Sequence, residues 1–286
     1  DEVYADIKDY NLDITRNSFI LDSALLTHKT YFNEPVYGTL NDQATTFRNK
    51  ENATYPRFVT HKKSFFIEDI YEDIDYEGGL SFEGASVKGK GDNTELAKIS
   101  IYRNDTLYIK ISAEEYLFSQ NRLASAETSM VLYLDKDSIF HNNLSFSYNP
   151  TTRQVNMFQA NNPISKGPYF NSFHSMDMYF ELLSWNMNES KIVMSKAIGA
   201  AQGRAEFESA SFFNENNYLQ LQGIDQYHPL VRLIRFAEWY YSETFPVEEF
   251  AKWLNKPVET VIGLCIDMAN KGFLYYDRLL NMVTLK

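Results

Sequence analysis

Short runs of alternating apolar and polar residues, broken at close intervals by turn residues, pass through most of this chain and constrain it more than any other feature. A period of two puts every second side chain on one face of a strand, and that face must be buried against another layer. Ile99, Ile101, Leu107, Ile109 and Ile111 alternate with polar residues on both sides of Arg103-Asn104-Asp105, which predicts a hairpin. Val131, Tyr133 and Ile139 flank Asp135-Lys136-Asp137 in the same way. Leu144, Phe146 and Tyr148 alternate up to Asn149-Pro150, and Val155 and Met157 resume beyond it. Tyr179 to Trp185, a turn at Asn186 to Asn188, and Ile192 to Met194 make a further hairpin. One hairpin is too small to bury a face alone. The pattern therefore predicts a mainly β part of stacked antiparallel strands, built as a sandwich or a solenoid-like arrangement. The 20 Tyr and 21 Phe among 286 residues suit such half-buried pleated surfaces.

The period changes near Gly223. From Pro229 to Tyr241, Leu230, Leu233, Ile234, Phe236, Ala237 and Tyr240 recur at helical spacing. Thr244, Pro246, Val247 and Glu248 open a second, short helix with proline in its first turn. Lys256-Pro257 opens a third, carrying Val258, Val261, Ile262, Cys265, Ile266 and Ala269, and Asn270-Lys271-Gly272 stops it. Phe273 to Tyr276 and Met282 to Leu285 then read as a small β-hairpin. Three helices followed by a hairpin is the winged-helix pattern. The expected division is a β-rich domain over residues 1–223 and an α+β winged-helix-like domain over 224–286.

Three segments carry a resemblance: DIDYEGGLSFEGASVKGKGD (73–92), LYLDKDSIFHNNLSFSYN (132–149) and LQGIDQYHPLVRLIRF (221–236). They resemble segments of very large, uncharacterised envelope proteins of Bacteroidetes. The resemblance implies a periplasmic or secreted setting and a longer parent chain, and it brings no catalytic residue with it. The short strands with Gly-x-Gly spacing are also similar to the stacked-strand lipid conduits of lipopolysaccharide transport.

Charge excludes one use of a winged helix. The chain carries 27 Lys and Arg against 38 Asp and Glu, a net charge of −11. Duplex binding needs a positive face that displaces counterions, and a reading helix needs polar side chains. The third helix offers Glu259 and Asp267 among aliphatic residues, and 224–286 holds seven basic against eight acidic side chains. No nucleic-acid partner is expected. No run of 18 apolar residues exists to span a membrane as a helix.

The other candidate motifs are weaker than they look. Gly84 to Gly91 approaches the phosphate-loop pattern, but Gly91 stands where a hydroxyl residue would hold Mg²⁺, and no helix follows. Asp73, Asp75 and Glu77 before Gly78-Gly79 place oxygen ligands at alternate positions, as a loose Ca²⁺ site would. Glu68, Asp69 and Glu72 add carboxylates nearby, but the twelfth position of a calcium loop falls on Gly84. A solvated acidic hairpin is the competing reading, and no cofactor other than Ca²⁺ is expected. No HExxH, GxSxG or CxxC occurs, and Cys265 sits on the apolar side of its helix. A pair of carboxylates of the glycosidase kind is not selected by any spacing. His228-Pro229 reads as the start of a helix.

These features point to a non-enzymatic structural or protein-interaction segment of a larger envelope protein. Its partners would be other segments of its parent chain or other envelope proteins. Two alternatives stay open: a carbohydrate-binding module using exposed aromatics, and a lipid-handling β groove. Phe236, Trp239, Tyr240, Tyr241, Phe245, Phe250 and Trp253 are more aromatic surface than three short helices enclose. Trp239 and Tyr240 are therefore expected to pack against the β part or a following segment.

Overall fold

The computed structural model describes residues 3–8, 10, 15–43, 54–84, 86–91, 95–119, 121–159, 167–195, 205–210, 212–222 and 227–286. The protein is strand-rich and antiparallel, with its helices gathered toward the C-terminus. It groups into two compact units: Asp1–Ser125 with Ser147–Gln154, and Ala126–Phe146 with Val155–Lys286. This division differs from the expected 1–223 and 224–286, and Gly223 itself lies outside the described residues.

The first unit contains β1 (Val3–Ile7), β2 (Ser18–His28), β3 (Val36–Gln43), β4 (Arg57–Thr60), β5 (Phe65–Tyr71) and β6 (Ile74–Glu83). It continues with β7 (Ser86–Lys90), β8 (Ala97–Arg103), β9 (Thr106–Ala113) and β10 (Glu115–Ser119). Two strands of 13 residues, β11 (Arg122–Leu134) and β12 (Asp137–Asn149), give residues to both units. The hairpin expected around residues 103–105 is β8–β9, where Asn104 and Asp105 both take positive φ (51° and 57°). Such a turn matches the twist of the strands it joins, and Asn and Asp tolerate it best after glycine.

Strand β6 organises this unit. Its first half, Ile74 to Gly78, pairs with β5 on one side and β8 on the other. Its second half, Gly79 to Glu83, pairs with β7 throughout and with β4 from Ser81 to Glu83. The exchange of partners falls at Gly78-Gly79, where Tyr76 donates its hydroxyl to the Gly79 carbonyl at 2.6 Å. A methyl at Gly89 would stand 2.5 Å from the Tyr76 hydroxyl and 2.6 Å from the Phe118 ring. Gly89, one of the glycines that suggested a phosphate loop, thus makes room for a buried tyrosine and phenylalanine.

The second unit adds β13 (Gln154–Phe158), β14 (Tyr169–Asn171), β15 (Met176–Tyr179), β16 (Leu182–Asn186), β17 (Ile192–Ser195) and β18 (Glu206–Ser209). The stretch read as one strand from Tyr179 to Trp185 is two, broken at Phe180-Glu181. There Glu181 accepts from the Gln159 amide and donates its own amide to Ser195. Pairing runs β12–β14–β15–β18, and the β16–β17 hairpin joins the same sheet through β13.

The C-terminal part follows with α1 (Glu215–Gln222), α2 (Pro229–Tyr240), β19 (Thr244–Pro246), α3 (Val247–Leu254), α4 (Val258–Asn270), β20 (Leu274–Asp277) and β21 (Met282–Leu285). His228 caps α2: its Nδ1 accepts from the Leu230 amide at 3.2 Å. Gly272 takes φ 80° just past α4, the conformation that favours glycine at a helix stop. Strands β19, β21 and β20 form a three-stranded sheet. Leu233, Phe236, Phe245, Val247, Phe250, Val261, Cys265, Met268 and Val283 are buried together. Among the described residues no helix is long and apolar enough to cross a membrane.

Candidate functional site

A cavity of ≈ 660 Å³ lies within the second unit, walled by β14, β15, β18, Ala210, Phe212 to Asn214, Lys271 to Phe273, Tyr275 and Lys286. Its position follows from how the C-terminal part is fastened. The Tyr275 ring on β20 meets Phe140 on β12 at 5.1 Å and Phe170 on β14 at 5.3 Å between centroids. Arg278 bonds Glu127 at 2.6 Å. Lys286 at the end of the chain pairs with Asp177 on β15, with both side chains nearly out of solvent. A buried ion pair holds geometry because removing either partner strands the other charge.

The cavity wall combines rings with charges. Phe170, Tyr179, Phe212, Phe213, Phe273 and Tyr275 supply aromatic surface. Asp177 on β15 and Glu208 on β18 face each other in register across adjacent strands. The Tyr179 hydroxyl stands 3.5 Å from Glu208. Burial, with Asp177 and Glu208 beside it, pushes the Tyr179 hydroxyl well above its usual range, so it stays a neutral donor. Tyr275 is raised likewise, by burial first and by Asp177 second. Asp177 is 4% exposed, and its Oδ1 has no hydrogen-bond partner among the described residues.

A second hollow, ≈ 740 Å³, lies in the first unit around Phe32, Phe65 and Phe66. Lys62 lies over the Phe65 ring at 4.9 Å. Most of its other walls, including Glu34, Pro35, Glu68 and Asp69, are exposed side chains, so it is an open depression.

The residues singled out in the sequence are placed as follows. Asp73, Asp75 and Glu77 each go to a different partner. Asp73 pairs with Arg153, which also bonds Glu72 at 2.7 Å. Asp75 is buried and accepts from the Asp69 amide at 3.0 Å. Glu77 lies 3.5 Å from Lys98. Among the described residues no group of three His, Cys, Asp or Glu side chains is arranged to hold a metal ion. Tyr240 stacks on Phe236 at 5.4 Å as part of the helical core, whereas Trp239 is 61% exposed. The fastening to the β strands is made by Tyr275, Arg278 and Lys286 instead of Trp239.

Three groups with reactive potential elsewhere, Cys265, His141 and His228, have structural roles. Burial pushes the Cys265 thiol up to about 12, which keeps it protonated. Burial lowers His141 to about 4, so it is a neutral imidazole. Its Nδ1 accepts from the Asn143 amide at 3.0 Å, and Nε2 meets the Gly167 carbonyl at 2.9 Å. His228 stacks on Tyr218 at 3.7 Å between centroids.

Sequence reasoning missed the cavity because its walls come from four distant stretches with no shared spacing. The one local signal was an aspartate inside an apolar strand segment, Met176-Asp177-Met178.

No family model matches the chain, and no curated protein matches it. Among solved structures it is similar to the crystal structure of LptH, the LptA homologous periplasmic component of the conserved lipopolysaccharide transport device from Pseudomonas aeruginosa. That likeness has 12% identity and a TM-score of 0.31, over 56% of this chain and 96% of the other. At that level it carries no functional conclusion.

Proposed function

We propose that this chain is a non-enzymatic structural and binding segment of a larger envelope protein, periplasmic or secreted, in which the C-terminal part serves as a packing module. The observation that carries the reading is the cavity wall: strands of the β part and the hairpin β20–β21 are joined around one ≈ 660 Å³ space by a buried ion pair and three packed rings. A wall fixed in this way suits recognition, since pre-ordered side chains lose little freedom on binding. The order helix, short strand, helix, helix, hairpin over 229–285 supports a winged-helix-like module. Its α4 carries Glu259 and Asp267 and no Arg, Lys, Gln or Ser, which favours packing over base reading. The envelope setting and the longer parent rest on the likeness of segments 73–92, 132–149 and 221–236. The nearly buried state of Cys265 and His141 supports a role without turnover.

The test is a panel of soluble oligosaccharides, peptides and fatty acids offered to the full chain, with bound and cleaved material assayed in parallel. The reading expects binding with the ligand recovered intact. Cleavage that is lost in a Glu208→Gln variant would replace it with a hydrolase whose carboxylates are Asp177 and Glu208.

A further inference from the structure

We infer that the cavity of the second unit is a saccharide site, in which Phe212, Phe213 and Tyr275 cover the apolar faces of sugar rings while Asp177 and Glu208 accept from ring hydroxyls. This names the ligand class for the binding function proposed above and rests on that reading.

The first support is the state of Asp177. Its Oδ2 is committed to Lys286, and its buried Oδ1 has no partner among the described residues. A buried acceptor left without a donor costs ~1–3 kcal/mol, which a ligand that brings a donor recovers. A hydroxyl can donate to it; an acyl chain or a fully ionised phosphate cannot. The second support is the rim. Phe212 and Phe213 are each 60% exposed and adjacent. Two large rings held in water beside polar acceptors give the mixed surface that a polyol with one C–H face and one hydroxyl edge matches.

The third support is charge and size. Lys271 is paired with Asp267 and Lys286 with Asp177, so each ammonium on the wall is already balanced by a carboxylate. Each keeps N–H donors for a hydroxyl oxygen, but neither offers the uncompensated positive charge an anionic headgroup needs. The cavity falls inside the range of about 300–1,000 Å³ usual for small-molecule sites.

The test titrates the full chain with maltotriose, cellotriose, mannotriose and N-acetylchitotriose, followed by saturation-transfer NMR and calorimetry. Dodecanoate and inorganic phosphate are run as the competing chemistries. At least one trisaccharide is expected to bind with Kd below about 1 mM. Phe212→Ala and Phe213→Ala, both at exposed positions, should weaken it at least about tenfold, a loss of ~1.4 kcal/mol. Glu208→Gln should weaken it without unfolding the chain, and Tyr241→Ala, far out in solvent, should leave it unchanged. Absence of binding by all four sugars overturns the inference, as does binding indifferent to both phenylalanines. Dodecanoate or phosphate bound in their place, and lost in Phe213→Ala, overturns the saccharide assignment while leaving the binding function standing.

Discussion

His141 shows how a single residue in this fold trades chemistry for structure. It is buried, bonded at both ring nitrogens and held neutral. Its pKa is lowered from 6.5 to about 4, so the unfolded chain takes up a proton before the folded one does. Stability from this residue is therefore lost as pH falls from about 6.5 toward about 4, by up to about 3 kcal/mol. Urea unfolding at pH 7 and pH 4.5 should show that loss in the native chain and a smaller one in His141→Gln. Equal losses in both would show that His141 is not the group responsible. At this scale, turn residues are legible in sequence and site residues are not. Asn104-Asp105 announces its hairpin because a positive-φ turn needs those side chains locally. Asp177 stands out only as an acid between two methionines, and its partner Lys286 lies 109 positions away, where no local pattern points.

At the level of elements, periodicity located α2, α3 and α4 because each buries one face in a shared core. It missed α1, whose Glu215–Gln222 sequence has only Leu221 buried. It also missed β19, three residues that become a strand only through pairing with β21. The aromatic excess of the helices was legible, but its use was not. Aromatic count says that a surface must be covered; only the fold says that Tyr275, on the hairpin, is the ring packed against the touching pair Phe140 and Phe170. The pair Tyr275→Ala and Trp239→Ala separates these roles. Tyr275→Ala should cost at least about 2 kcal/mol, because it removes a packed ring at a junction. Trp239→Ala should stay within about 0.5 kcal/mol, as expected at an exposed position. Chemical denaturation of both variants measures this, and a reversed order would mean that the helical face carries the fastening.

For the molecule as a whole, a net charge of −11 and a helix α4 without Arg, Lys, Gln or Ser predict no duplex binding at physiological salt. A titration giving sub-micromolar affinity with a steep salt slope would contradict that. The larger claim is that the C-terminal part is built into the strand structure as one wall of a binding cavity. Native-state hydrogen exchange in increasing urea tests it most directly, by following the amides of Leu274–Asp277 on β20 and Met176–Tyr179 on β15. Elements that share a buried ion pair and packed rings should open as one cooperative unit. The account predicts one opening free energy and one urea dependence for both strands. Protection that persists in β20 after β15 has opened, or the reverse, would show two independently stable pieces and contradict it.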